Sequence, residues 1–140
     1  MTKKKTVLFL CTHNSARSQM AEALVNALYG SHYKAFSAGI LPTHVNPYAI
    51  EVMKELGVDL STHRSKHVDE YKNDSFDFVV TVCDHAKEHC PFFPGKKIVH
   101  KGFTDPAAVD GSIEEILDSF TQVRDEIKHW IESMFSSPRG

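Results

Sequence analysis

The amino-acid sequence predicts a single α/β domain, a central parallel sheet of about four strands flanked by helices, and three observations carry that prediction. Continuous apolar runs of strand length alternate with segments whose apolar residues recur at helical spacing. Two of the runs end at a cysteine, Cys11 and Cys83, and parallel sheets bind ligands beyond the C-terminal ends of their strands. The chain has 140 residues, 41% hydrophobic and 24% charged, which suits one domain and is too short for two.

Residues 6–10 (Thr-Val-Leu-Phe-Leu) are apolar without alternation, the pattern of a strand buried on both faces. After a polar hexapeptide, Met20, Ala21, Leu24, Val25 and Leu28 mark one face of a helix that Gly30 stops. A second strand is expected over 33–37, running into Ala38-Gly39. Asn46 then serves as N-cap with Pro47 at the first helical position, followed by Ala49, Ile50, Met53 and Leu56 and the terminator Gly57. Residues 61–74 are polar and predict a loop with a short helix. Residues 76–82 (Phe-Asp-Phe-Val-Val-Thr-Val) form the clearest central strand, and 97–101 a fourth. Ser112-Ile-Glu-Glu115 is a capping box opening a long amphipathic helix, whose face runs through Ile113, Ile116, Leu117, Phe120, Val123, Ile127, Trp130 and Met134. Residues 136–140 are expected to fray.

Composition excludes several function classes. The net charge of −2, from 16 basic and 18 acidic residues mixed along the chain, is not a nucleic-acid footprint. The apolar run behind Lys3-Lys-Lys5 is too short for a signal peptide, and no stretch is long enough to span a membrane. The expected setting is therefore the cytoplasm, where thiols stay reduced. An odd cysteine count of three argues against a static disulfide framework. A chain this long buries roughly two-thirds of its unfolded surface and needs no cross-link. Nine histidines raise the question of a metal site.

The segment Cys11-Thr12-His13-Asn14-Ser15-Ala16-Arg17-Ser18 lies between a strand and a helix. Its five residues between Cys11 and Arg17 suffice to wrap a tetrahedral oxyanion with backbone N–H groups, backed by the helix N-terminus. The same positive field favours the thiolate of Cys11, the nucleophilic form. Arg17 supplies a planar fork for two anion oxygens, and Ser18 a hydroxyl for the sulfur. The spacing also suits a buried strand-end cysteine with a solvated arginine; placement after a buried strand favours the functional loop.

The run Val-Leu-Phe-Leu-Cys-Thr-His-Asn-Ser-Ala-Arg-Ser-Gln-Met-Ala-Glu22 strongly resembles the thioredoxin-coupled arsenate reductases built on the low-molecular-weight protein tyrosine phosphatase fold. The resemblance continues through Ser37-Ala-Gly39, Val45-Asn-Pro47-Tyr-Ala-Ile50, Val80-Thr-Val-Cys83 and Asp105-Pro-Ala107, and so covers nearly the whole chain. It implies that Cys11 attacks arsenate, that Cys83 attacks the Cys11 sulfur and expels arsenite, and that Cys90 attacks Cys83 to present a Cys83–Cys90 disulfide to thioredoxin. It also implies that Asp105 protonates the leaving oxygen. Taken alone, Asp105-Pro106 equally suits a turn. The phosphatase branch carries tyrosines after its Asp-Pro; here Ala107-Ala108 leaves that wall absent and favours a small inorganic anion.

If residues 83–91 begin as one or two helical turns, Cys83 and Cys90 start beyond the roughly 4.4–6.8 Å Cα separation a disulfide needs, so bridging them implies that the segment unwinds. A competing reading makes Cys83, His85, His89 and Cys90 a zinc site, although the spacing is not one of the common structural patterns. Ala16 stands where several relatives carry another cysteine that the relay does not use. His13 replaces a common glycine and is read as a loop-lip side chain. Lys66 occupies the place where some relatives help hold a monovalent cation near Asn14 and Glu22; its ammonium can substitute for that ion, so no cofactor is expected, metal dependence is not carried over and a monovalent cation stays open. His32, His44, His63, His67, His100 and His129 are read as surface or loop residues. The expected function is arsenate reduction by a monomer reset by thioredoxin, with no nucleic-acid or membrane partner. The alternatives are a phosphatase in which Cys83 and Cys90 act as a redox lock, and a zinc- or arsenite-sensing module.

Overall fold

The computed structural model describes residues 4–83 and 95–135. Four parallel strands, β1 (Lys5–Cys11), β2 (Tyr33–Gly39), β3 (Phe76–Thr81) and β4 (Gly95–His100), form one sheet in the order β2-β1-β3-β4. The chain leaves β1 toward one edge of the sheet and β3 toward the other, so the order reverses between β1 and β3. In such sheets the crevice at that reversal is where ligands bind. The register places Cys11 beside Gly39 and Leu10 beside Thr81. Cys11 ends β1, and Cys83 lies two residues beyond the end of β3. Both predicted cysteine-terminated strands therefore deliver their thiols to that crevice.

Among the described residues three α-helices accompany the sheet: α1 (Arg17–Tyr29), α2 (Pro47–Lys54) and α3 (Ile113–Phe135). Their starts follow the local chemistry. Asn46 accepts from the N–H of Tyr48 at 2.8 Å with Pro47 behind it. Ser112 and Glu115 exchange the reciprocal capping-box bonds at 3.2 and 3.3 Å. Past α2 the chain reverses at Gly57, whose φ of +74° is readily available only to glycine. The short helix expected in 61–74 is a 3-10 turn, Val68–Tyr71.

The core lies between the sheet and the helices. Phe120, Ile127, Ile131 and Phe135 of α3 are fully buried, and Phe135 meets Tyr33 edge-on at 4.8 Å. The guanidinium of Arg124, buried on the same helix, donates to the carbonyl of Val52 at 2.7 Å and to Glu55 at 2.8 Å, tying α3 to the end of α2. Three residues expected on apolar faces are exposed: Leu28, Leu56 and Ile113. Each sits at or past a helix end, where the chain turns away from the sheet and helical periodicity no longer dictates burial. Among the described residues no helix is long and apolar enough to cross a membrane.

Candidate active site

Residues 12–16 connect β1 to α1, and the carbonyls of this loop are all bonded away from its centre. Thr12 accepts from the N–H of Leu41 (2.8 Å), His13 from the Ser65 hydroxyl (2.7 Å), and Asn14 from Nε2 of Gln19 (3.1 Å). Ser15 accepts from the N–H of Asn46 (3.0 Å) and Ala16 from that of Met20 (2.8 Å). In a trans peptide each carbonyl points opposite to the following N–H. The N–H groups of His13, Asn14, Ser15, Ala16 and Arg17 therefore turn inward. No side chain caps α1, so its first donors join them. The predicted oxyanion cradle is thus formed by backbone geometry, with its outward side satisfied by named partners.

A buried polar floor holds the loop in shape. Asn14 is fully buried at φ +49°, a left-handed conformation that asparagine tolerates. Its carboxamide donates to Ser18 Oγ at 2.8 Å and accepts from Gln19 Nε2 and the Lys66 N–H, both at 2.9 Å. Gln19 also donates to the carbonyl of Arg64 at 2.9 Å, and its own Oε1 lies 3.0 Å from Nδ1 of His63. Glu22 accepts from the Ser37 hydroxyl at 2.7 Å and lies 3.2 Å from His63 and 3.8 Å from the Lys66 ammonium. Burial lowers the pKa of Lys66, and Glu22 opposes that shift. Gly39 lets the loop sit on β2: a Cβ there would come within 2.7 Å of the Asn14 nitrogen and the Thr12 oxygen.

Cys11 and Cys83 are both free thiols, 3% and 4% exposed. Thr12 Oγ1, next to Cys11 in the chain, lies 3.2 Å from the Cys83 sulfur. The Cys11 pKa is raised well above its ordinary value, first by the neighbouring Cys83 thiol and then by burial, against lowering by Arg17 and the Thr12 backbone. The expected thiolate-favouring field is present in Arg17, and a second thiol and low solvent access oppose it. Ser18 likewise differs from expectation, since its hydroxyl accepts from Asn14 and forms no bond to Cys11.

Arg17 reaches across to the segment before α3. Its Nη1 donates to the carbonyl of Phe103 at 3.1 Å and its Nη2 lies 3.8 Å from Asp105 Oδ2. The other Asp105 oxygen accepts from the Ala107 N–H at 2.9 Å, so this carboxylate both caps a 3-10 turn, Pro106–Ala108, and faces the arginine. Cys11, Arg17 and Asp105 line a pocket of about 60 Å³, to which the loop adds His13, Ser15 and Ala16. Asn46 and Ala107 complete it. A wider groove of about 560 Å³ adjoins it, lined by Thr12, Arg17 and Cys83 together with His100 and residues 102–104. The pocket suits a small anion, and the groove gives access to the second thiol.

Sequence reasoning missed several members of this arrangement. His63 and His100 are not idle loop residues: His63 braces Gln19 and Glu22, and His100 bonds Thr81 at 2.8 Å on the groove wall. His67 accepts from the Asp69 N–H, whereas His32, His44 and His129 are exposed as expected. Gln19 and Asn46 carried no chemical signal beyond helix-terminal positions. Cys90, His85, His89, most of 83–91 and residues 136–140 lie outside the described residues. Among the described residues no group of three or more His, Cys, Asp or Glu side chains is placed to hold a metal.

Comparison with known proteins agrees with this geometry. The family model for low molecular weight phosphotyrosine protein phosphatase matches residues 6–137. An arsenate reductase of Halalkalibacterium halodurans is 46% identical over 125 residues, covering 89% of this chain and 90% of its own. The crystal structure of an arsenate reductase from Archaeoglobus fulgidus superposes with a TM-score of 0.75 at 33% identity, over 94% of this chain and 99% of that one. A thioredoxin-dependent arsenate reductase from Corynebacterium glutamicum gives 0.68 at 30% identity, over 97% and 65%. With the cradle, the arginine and the aspartate on one parallel sheet and the match spanning almost every residue, the chain belongs to the low molecular weight phosphotyrosine protein phosphatase family.

Proposed function

We propose that the protein is an arsenate reductase working through a three-cysteine relay in the cytoplasm, as a monomer reset by thioredoxin. The observation that carries this reading is the second buried thiol, Cys83, lining the groove with Thr12 and Arg17 beside the oxyanion cradle. Hydrolysis of a phosphoester needs Cys11, Arg17 and Asp105 but has no use for Cys83. A two-electron reduction requires it. The arsenate reductases among the relatives, one of them thioredoxin-dependent, support the same choice.

Arsenate enters the pocket against the inward N–H groups and Arg17, and the Cys11 proton passes to the dianion. The Cys11 sulfur bonds arsenic while one oxygen departs as water, protonated by Asp105. Cys83 then attacks the Cys11 sulfur. The S–S bond forms, the S–As bond breaks, and its electron pair reduces arsenic(V) to arsenic(III), which leaves as arsenite. Cys90 attacks Cys83, freeing Cys11, and thioredoxin reduces the Cys83–Cys90 disulfide. The oxygens that would face a monovalent cation are instead committed to Lys66, Gln19 and Ser37, so the reading includes no metal.

The test is a single turnover without a partner. Fully reduced protein is mixed with arsenate, quenched, and its thiols counted and disulfides mapped by mass spectrometry. Loss of two thiols with stoichiometric arsenite and a Cys83–Cys90 bridge is the expected result. Survival of all three thiols while an aryl phosphate is hydrolysed would make the protein a phosphatase.

A further inference from the structure

We propose that Asn46 is a substrate-binding residue, donating from Nδ2 to an oxygen of the bound oxyanion; this rests on reading the 60 Å³ pocket as the anion site. Two bonds fix Asn46 in place. Its backbone N–H holds the Ser15 carbonyl at 3.0 Å, and its Oδ1 accepts from the Tyr48 N–H at 2.8 Å. The carboxamide oxygen is therefore turned to α2 and the two Nδ2 hydrogens away from it, and Asn46 lines the pocket beside Cys11, Arg17 and Asp105. No described residue accepts a hydrogen bond from Nδ2. The pocket is small, about 60 Å³, so a tetrahedral anion inside it sits against the residues that line it.

The chemistry gives Asn46 a distinct task. The loop and Arg17 approach the anion from the β1 side, while the other segments lining the pocket bring Asp105, Ala107 and Asn46. Asp105 is the proton donor of the proposed reaction. Asn46 brings a neutral donor to the same pocket, one that binds the anion without competing for the proton. Helix capping alone would require only an oxygen at this position, which Asp or Ser supplies equally.

That equivalence provides the test. Asn46→Asp and Asn46→Ser both keep the cap but lose the donor, and the aspartate also sets a negative charge toward the anion. Reduced full-length protein is titrated with inorganic phosphate by calorimetry, and arsenite formation is followed in parallel. Asn46→Ser is expected to weaken phosphate binding about tenfold or more, and Asn46→Asp further. KM for arsenate rises in step, kcat moves much less, and thermal midpoints stay near wild type. If Asn46→Asp does not fold, Asn46→Ser carries the comparison. Folded variants that bind phosphate within about twofold of wild type while wild type makes arsenite would overturn the assignment and leave the reductase reading intact. Phosphate binding that depends on Asn46 in a protein making no arsenite would do the reverse, and a wild type binding neither anion would overturn both.

Discussion

The two sides of the anion pocket are built to different stiffness. On the β1 side, five consecutive carbonyls are bonded outward and Asn14 is gripped by Ser18, Gln19 and Lys66, all buried. On the other side Asp105 is held by its own turn, through the Ala107 and Ala108 N–H groups, with Ser119 reaching the Pro106 carbonyl at 3.3 Å. Its side chain is 49% exposed, against 13% for Arg17. The difference follows from the two tasks. Dipoles that stabilise charge are effective only when fixed in advance, because reorienting them costs much of what they contribute. A proton donor must exchange with solvent between turnovers. Damage on the aspartate side should therefore cost rate alone, and damage on the loop side rate and stability together.

Asp105→Asn is the sharpest way to break that contrast and carries the largest effect. Asparagine still caps the Pro106–Ala108 turn, so the thermal midpoint should stay within about 2 °C of wild type. Without the proton, arsenite formation in a single turnover should slow by about 10²–10⁴-fold. A loss of stability matching the loss of rate would show that the turn is as integral to the fold as the loop.

Asn14→Ala tests the opposite side. It removes three buried hydrogen bonds and leaves a residue with no polar side chain at φ +49°. Chemical denaturation should show a loss of about 3 kcal/mol, and phosphate binding should fall with it. A variant as stable as wild type would mean that the polar floor is dispensable and the loop is held by its carbonyl partners alone.

A smaller effect separates the two thiols. Cys83→Ala removes the leading cause of the raised Cys11 pKa, so the inflection in Cys11 alkylation by iodoacetamide should move to lower pH. More thiolate at a given pH means faster alkylation, and the rate at pH 8 should rise several-fold. An unchanged profile would assign the shift to burial instead.

What the sequence made legible was local. Cys11, Arg17 and their loop follow from residue types at one strand end, and the Asn46 and Ser112 caps from patterns of two and four residues that the structure reproduces. The long-range partners were not legible. Gln19 and His63 are 44 positions apart, and nothing in either segment announces the other. The raised Cys11 pKa was hidden for the same reason: the motif contains Arg17, which does lower it, whereas the opposing Cys83 arrives from a different strand. Spacing reports what one βα unit can do, and the tuning of that unit comes from the units packed against it.

Lys66 is the last point at which the rigid side can be probed. Its ammonium donates to the Arg64 carbonyl at 3.0 Å and lies 3.8 Å from Glu22, so a positive charge is already built in beneath the loop. Exchanging potassium for tetramethylammonium at constant ionic strength should change kcat/KM of the wild type by less than about twofold. Lys66→Ser removes the charge and leaves Glu22, the Arg64 carbonyl and the Ser37 hydroxyl around the space the ammonium filled, oxygens suited to a hard monovalent cation, with the His63 ring on the far side of Glu22 Oε2. That variant should lose activity in tetramethylammonium and regain part of it in potassium. Potassium dependence already present in the wild type would mean that the lysine does not replace the ion, and that the loop owes its stiffness to the hydrogen bonds of Asn14 and Gln19 rather than to the charge beneath them.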